Sequence, residues 1–435
     1  MLAKWGLSNF KSFLDKTEID LAPLTVLTGA NSSGKSTILQ SMLLIAQTLR
    51  NPISSRELVL NGPLVKMGYL SDIQSVFTIG AGISFSFNNL NIPDMEFDEI
   101  KYSLLFSAVN RNMEAVLNSV TIDCFKDNLN IGGLIATRKN DDNSLIIKNL
   151  TGVLLREAGF LVSFIQGIMV FPHPHFLLRE HRLPDIDSQP PYWLSEFNNF
   201  LTNYFTSSFK YLGSLRYLDP VFPFSAADDP KDVGMSGEYT ASVIFTFSKC
   251  KVEYYVPDKK DDNQNGVYSF NKKTESSLDK ALCFWLDYFG LKYKISVSSS
   301  GAIGYELSVV QQNSDREAII MDISQAGAGI SQVLPVLVMC LLAEKNSTLL
   351  FEHPEIHLYP KVQSRLADFF LCMALSGKQC IIETHSEHFI NRLRMRISDS
   401  LQNDDMTISG SSKIYFFDKK GSYTKVMPIE TIESF

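Results

Sequence analysis

The sequence predicts an α/β fold built on a largely parallel sheet to which both ends of the chain contribute. Three observations lead there. A glycine loop lies between an apolar strand and an amphipathic helix near the N-terminus. From about residue 301 to 435, short apolar strands alternate with helical stretches, the pattern of a parallel sheet covered by helices. Between these zones, residues from about 91 to 300 are aromatic-rich and carry few regular signals. The domain reading is that 1–90 and 301–435 form one head. Residues 91–300 then form a mixed α+β middle insert that partly returns to it.

Composition narrows the classes. A chain of 435 residues, 45% of them hydrophobic and 20% charged, buries a large core without disulfide or metal staples. That excludes a disordered chain, a collagen and a small secreted scaffold. Acidic residues number 47 and basic residues 40, a net charge of −7. No global excess of positive charge exists to displace counterions, so any nucleic-acid contact needs a local basic patch. The six cysteines (124, 250, 283, 340, 372 and 380) have no CxxC or His-Cys spacing. They read as buried apolar residues of a reducing compartment. The opening MLAKWGLSNF has no uninterrupted apolar stretch, and the longest apolar run, Val333 to Ala343, is short of the roughly 20 residues a bilayer requires. The expectation is a cytoplasmic protein with no membrane partner.

The strongest local signal is the loop Gly29-Ala-Asn31-Ser32-Ser33-Gly34-Lys35-Ser36, followed by Thr37. It follows the strand Leu24 to Thr28 and opens a helix whose Ile38, Met42, Ile45 and Leu49 share one face. This is a Walker A loop in the strand-loop-helix setting that the motif requires. Glycines let the backbone wrap a phosphate while successive N–H groups point inward at a helix N-terminus. Lys35 reaches the β- and γ-phosphates in such a loop, and the Ser36 hydroxyl ligates Mg2+.

Downstream, the strand Ser347 to Phe351 ends in Glu352-His353-Pro354-Glu355, and the strand Gln379 to Glu383 ends in Thr384-His385-Ser386. A carboxylate at the end of a strand beside the phosphate-loop strand is where a Mg2+-organising acid sits. Upstream, Asp322 to Gln332 is a glycine-rich turn leading into an apolar helix, with free amides and a serine hydroxyl suited to an anion. Taken singly, the turn also reads as a helix cap, and a histidine after a strand also reads as structural.

The order of these pieces resembles the ATP-binding-cassette class of ATPase heads. More closely, the chain is similar to bacterial ABC-type AAA ATPases of the overcoming-lysogenization-defect-like group, found as ATPase subunits of anti-phage systems such as Septu and the phage anti-restriction-induced system. The residues that carry this are Phe10-Lys-Ser-Phe13, the GANSSGKST loop, Leu60 to Pro63, Tyr211 to Arg216 and Val233 to Glu238. The GAGISQVLP turn, FEHPEIHLYP and ETHSEHFINRLR complete the set. Roughly half the chain is covered.

The resemblance implies an ABC/SMC-like P-loop head that binds ATP and Mg2+ and dimerises or oligomerises with ATP between copies. In it, Gly327, Gly329, Ser331 and Gln332 form the signature turn reaching the partner's γ-phosphate. Glu352 is the Walker B acid in place of aspartate, a metal ligand with Ser36, and His385 is the switch histidine. Asn61 or Gln74 would stand in for the Q-loop. One position departs from the pattern: the residue after the Walker B acid, commonly a glutamate that polarises water, is His353. Either His353 or Glu355 then positions the water, and slow hydrolysis is expected.

The implied function is a regulatory or sensor ATPase of a defence complex that holds or releases a separate effector, a nuclease or toxin. Too few residues follow Arg396 for a fused nuclease domain. Two alternatives remain, an SMC- or recombination-like ATPase acting on DNA directly and a non-hydrolysing, ATP-locked scaffold. Arg392, Arg394 and Arg396, with Arg365 and Lys378, are the candidate basic patch, though such arginines at a helix end are more often solvated charges. His173, His175 and His181 suggest a metal only faintly, being more ordinary as loop residues. The aromatics Tyr192, Trp193, Phe197, Phe200, Tyr204 and Phe205 read as a buried or partner-facing helix stripe rather than a base-stacking platform.

Overall fold

A computed structural model of the chain describes all residues except 51–57, 76–81, 91–96, 110–113, 139–144, 152–168, 173–177, 181–199, 217–220, 223–228, 260–267, 302–303, 312–318, 403–405 and 430–435. His173, His175, His181, Tyr192, Trp193 and Phe197 lie outside the described residues. The chain divides into two compact units. The first comprises Met1–Leu21, Asn31–Phe209 and Phe417–Val426; the second comprises Ala22–Ala30, Lys210–Phe416 and Met427–Phe435.

In chain order, β1 (Leu2–Ser8) and β2 (Thr17–Asp20) belong to the first unit and β3 (Leu24–Gly29) to the second. The chain returns to the first unit for helix α1 (Lys35–Arg50) and for β4 (Ile83–Leu90), β5 (Glu99–Val109), β6 (Glu114–Lys126), β7 (Leu129–Arg138), β8 (Leu145–Thr151), β9 (Met169–Pro172) and β10 (Leu178–Glu180). These strands form a nine-stranded sheet in the order β10-β9-β8-β7-β6-β5-β4-β1-β2, with every neighbouring pair antiparallel. Residues 83–138, which show little regularity as sequence, are therefore largely long hairpin strands. Their period of two is visible in β5, where Ile100, Tyr102, Leu104 and Phe106 are buried in alternation. Asp127 and Asn128, both at positive φ (49° and 65°), make the two-residue turn from β6 to β7 that matches strand twist. Trp5, Phe87 and Tyr102 stack in sequence across the sheet, and the Trp5 Nε1–H donates to Ser41 Oγ of α1 at 2.8 Å. Phe200 stacks on Tyr204, and Phe205 packs on Phe87, so the described part of the aromatic stripe is core.

The second unit carries the parallel sheet. After β11 (Phe209–Leu212) and β12 (Val221–Phe222) come α2 (Thr240–Phe247), β13 (Lys251–Lys259), β14 (Tyr268–Ser277) and α3 (Leu278–Phe289). Then follow β15 (Tyr293–Ser299), β16 (Tyr305–Gln311), β17 (Ile319–Asp322), α4 (Ala328–Leu342), β18 (Thr348–Glu352) and α5 (Pro360–Leu375). Last come β19 (Gln379–Glu383), α6 (Glu387–Gln402), β20 (Ser412–Lys420) and β21 (Tyr423–Pro428), of which Phe417–Val426 count with the first unit. The six-stranded sheet runs β11-β18-β19-β3-β20-β21, with β18, β19 and β3 parallel. Those three strands are almost wholly apolar because helices cover both faces of a parallel sheet. From Val333 to Leu342, helix α4 is apolar around its whole circumference, as a buried helix segment must be. Trp285 of α3 meets Phe369 of α5 edge-on at 4.8 Å in the same core.

Two polar devices sit inside this core. Lys378 is buried and its Nζ donates to the carbonyls of Cys340 and Leu341 (2.7 and 3.3 Å), capping the C-terminus of α4 with positive charge. Asp368 of α5 is fully buried and accepts from Arg392, Arg396 and the Tyr288 hydroxyl. Arg365 bonds the Tyr288 carbonyl. The arginines and lysine read as a basic patch are thus mostly committed internally, and Arg394 alone of the α6 trio is exposed. Among the cysteines, Cys250 is exposed and Cys283 half-buried; the other four are buried as expected, and all six are free. No described helix is long and apolar enough to cross a membrane.

Candidate functional site

The phosphate loop has the backbone its sequence demands. Gly29, Ser32 and Gly34 lie at positive φ (142°, 58° and 103°), and α1 begins at Lys35. Gly34 has a second constraint: a Cβ there would stand 2.6 Å from Thr424 Oγ1. Thr424 braces the loop, its Oγ1 lying 2.8 Å from the Ser33 carbonyl and 2.7 Å from Ser12 Oγ, while its N–H donates to the Ser12 carbonyl. Ser12 belongs to the FKSF motif, whose Lys11 donates to Gln40 Oε1 of α1 at 2.6 Å. Asn31 and Ser32 are exposed, whereas Ser33 and Lys35 are buried. Ser33 Oγ is buried with no hydrogen-bond partner. Thr37 N–H bonds the Gly34 carbonyl, closing the first turn of α1. Asn61 is spent on a local loop, pairing both its amide atoms with the backbone of Gly68. Gln74 forms a backbone bridge with Phe10.

The second unit gathers the other predicted residues. Parallel pairing sets Glu352 opposite Glu383, and Glu383 opposite Leu27, so the strands deliver both carboxylates to the sheet end from which Gly29 and Ala30 depart. Beyond β18 the chain turns sharply: His353 sits at φ 44°, and its N–H donates to the Glu383 carbonyl at 2.9 Å. Its Nδ1 is 3.8 Å from Glu355 Oε1 and its Nε2 is 3.8 Å from Glu383 Oε1. The His353 and His385 rings stack at 4.9 Å and 12°. Glu355 Oε1 also accepts the His385 N–H at 2.9 Å, and Glu355 Oε2 is buried without a partner.

Electrostatics separate the groups. Burial, then repulsion from Glu383, pushes the Glu352 carboxyl up, with a hydrogen bond from Tyr211 opposing. His353 is held above its ordinary value by the neighbouring Glu355 carboxylate, against its own burial. For Glu355, burial raises the carboxyl, but bonds from His353, Thr384 and backbone N–H groups outweigh it and leave the value lowered. Thus Glu355 stays anionic behind an imidazole that readily takes up a proton.

The signature turn lies in the same unit. Gly327 (φ 91°) precedes α4, Gly329 sits 3.8 Å from Leu358 when given a Cβ, and Ser331 is half-buried. Gln332 is buried and exchanges two bonds with Arg216: its Nε2 donates to the Arg216 carbonyl, and Arg216 Nη1 donates to the Gln332 carbonyl. Arg216 also donates to the carbonyls of Gly213, Glu352, His353 and Pro354. It ties the base of the signature turn to the turn after β18. Of the second insert motif, Val233 to Glu238, the Glu238 carboxylate closes its own loop on Ser236, and Gly237 packs tightly on Pro335 of α4. Tyr211 and Glu383 were missed as site residues. The sole signal for Glu383 was its place at the end of an apolar strand beside the phosphate-loop strand.

In the first unit, a buried lysine at a glycine-shaped helix start and the unpartnered Ser33 Oγ suit the phosphates of a nucleotide. In the second unit, the clustered carboxylates suit a divalent cation.

The AAA ATPase domain family matches residues 1–156 and 236–390. No curated protein matches the chain. Among solved structures it is similar to an SMC head bound to the C-winged helix domain of ScpA, at 13% identity over 98% of this chain and 97% of that one, with a TM-score of 0.45. It is also similar to the SMC head domain from Thermotoga maritima (11% identity, 99% of each chain, TM-score 0.42). A third is an Smc head domain with an extended coiled coil bound to the C-terminal domain of ScpA, derived from Pyrococcus furiosus. It has 12% identity over 98% and 96% of the two chains, with a TM-score of 0.40.

Proposed function

The chain belongs to the AAA ATPase domain family, and from that premise we propose that it is an ABC/SMC-like P-loop head acting as a slow, Mg2+-dependent ATPase that regulates an effector. The observation that carries this reading is the pairing of an intact phosphate loop with a histidine where a water-polarising glutamate is usual. Gly29, Asn31, Ser32, Ser33 and Gly34 supply the amide cradle, Lys35 neutralises the terminal phosphates, and Thr37 supports the loop. Ser36 and Glu352 hold the metal ion, which supplies charge neutralisation to the phosphates when bound. His385 contacts the γ-phosphate. Gly327, Gly329, Ser331 and Gln332 serve the nucleotide of a second copy, making the active form a homodimer or higher homo-oligomer.

His353 is the base that orients water, and Glu355 is the carboxylate that orients His353 through Nδ1. An imidazole raised by a buried carboxylate accepts a proton but lacks the fixed negative charge of a glutamate, so turnover is slow. A slow site suits a clamp that stays closed on ATP and opens on a signal. We infer that the clamp is the cytoplasmic sensor of a bacterial anti-phage complex and that the effector it restrains is a separate nuclease or toxin subunit.

Steady-state phosphate release, wild type beside Lys35→Ala, tests the reading. Slow release that vanishes in the variant supports it. ATP binding without release would instead favour the ATP-locked scaffold, with His353 as the cause.

A further inference from the structure

The sheet end carries a second chemistry. His353 Nε2 lies 3.8 Å from Glu383 Oε1, and one donor atom each from His353, Glu383 and His385 falls within 4.8 Å of the other two. Among the described residues this is the one group of three or more histidine, cysteine or acidic side chains so placed. We propose that His353, Glu383 and His385 form a binding site for a divalent transition-metal ion, best suited to Zn2+.

The donor set argues for the ion. Two imidazole nitrogens and one carboxylate oxygen match three-ligand zinc sites that keep a fourth position open, whereas Mg2+ and Ca2+ require oxygen shells. Bonds of about 2.0–2.2 Å put the donors of a tetrahedral site roughly 3.3–3.5 Å apart, so the His353–Glu383 pair is already near its bound spacing. The His385 side chain is on the exposed side and closes the rest by rotation. A rigid frame backs the ligands, because the His353 N–H is bonded to the Glu383 carbonyl and β18 and β19 are paired up to Glu352 and Glu383.

An outer carboxylate is also in place. Glu355 Oε1 lies 3.8 Å from His353 Nδ1 and separately accepts the His385 backbone N–H at 2.9 Å, so a small approach would bring it to the spacing at which a carboxylate fixes the tautomer of a metal-binding histidine. His353 holds a left-handed backbone that most residues avoid, strain that is common at ligand sites.

Ion binding stands independently of the ATPase reading; only its consequence rests on that reading. A bound ion occupies the His353 nitrogen that would accept a proton from water, and it takes His385 from the γ-phosphate, so the loaded protein is inhibited.

The test uses tag-free, nucleotide-free protein titrated with Co2+ as the spectroscopic stand-in, followed by Zn2+. One equivalent of Co2+ should give a visible absorption band that Zn2+ abolishes. His385→Ala and His353→Asn, the latter chosen because asparagine tolerates positive φ, should each weaken binding at least a hundredfold. Glu355→Gln should weaken it about tenfold. The exposed His357→Ala and His388→Ala should leave it unchanged. Absence of the band in wild type, or wild-type affinity in His385→Ala, overturns the proposal. Phosphate release separates the two readings. A protein that binds Co2+ through these residues but hydrolyses no ATP keeps the metal site and loses the ATPase. One that hydrolyses ATP without a Co2+ band does the reverse.

Discussion

The phosphate loop and the strand-end cluster around His353 obey different rules, although both lie where apolar strands stop. In the loop, geometry is local: positive φ at Gly29, Ser32 and Gly34, then a helix start, so eight consecutive residues suffice to specify it. In the cluster, geometry is assembled from afar. Glu352, Glu383, His385, Arg216 and Gln332 come from four segments, brought into register by parallel pairing and by the carbonyl bonds of one arginine. A local motif withstands change in its surroundings, and an assembled one is open to substitution. That is where this chain carries histidine instead of glutamate.

Mutations test this contrast, beginning with the largest effect. Removing the loop cation with Lys35→Ala should abolish phosphate release and weaken ATP binding at least a hundredfold, about 3 kcal/mol for a charge-assisted phosphate contact, as measured by calorimetric titration. Equal affinity in the two proteins would break the comparison at its local end. Next, Glu352→Gln should lower turnover by roughly 10²–10³ while ATP binding persists, since an electrostatic group acting on the reacting phosphate is lost without a change of shape. His353→Asn should cost about a hundredfold in turnover with the ATP dissociation constant unchanged. If turnover is untouched there but collapses in Glu355→Gln, the carboxylate and not the imidazole handles the water.

Arg216→Met should act on assembly. Five carbonyls lose their donor, and desolvated acceptors left unpaired cost about 1–3 kcal/mol each in the worst case. A fall of several degrees in Tm is expected by calorimetry, with Arg216→Lys recovering only part because one ammonium cannot span the fork. An unchanged Tm would mean that the cluster is held by strand pairing alone. The smallest effect concerns Lys378. Burial lowers its ammonium to about 8, against an ordinary 10.5 in the unfolded chain. Between those values the unfolded chain binds more protons, so raising pH through that window stabilises the fold. The gain is lost again as pH falls through about 8. Lys378→Met should flatten that part of the Tm–pH curve, and a curve parallel to wild type would count against it.

Much was legible before any coordinates. The strands Leu24–Gly29, Thr348–Glu352 and Gln379–Glu383 are nearly continuous apolar runs, and a parallel sheet covered on both faces has just that composition. The hairpin strands from Ile83 to Arg138 escaped notice. Their outward face holds residues such as Leu105 and Ile135 beside lysines and serines, which blurs the alternation. The arginines of α6 show a different kind of ambiguity. Spacing alone does not distinguish a solvated stripe from partners of Asp368, because the deciding carboxylate lies on another helix.

By itself, then, the sequence determined the phosphate loop, the parallel core strands and the substitution at residue 353. These depend on residue type within a few positions, where backbone dihedrals and burial follow from neighbours. Only the tertiary structure decided that Arg216 reads backbone carbonyls, and that Lys378 caps a helix. It also decided that Glu383 joins the two histidines. Those facts are distances between segments tens to hundreds of residues apart, and such distances are set by sheet register and packing, which no local pattern encodes.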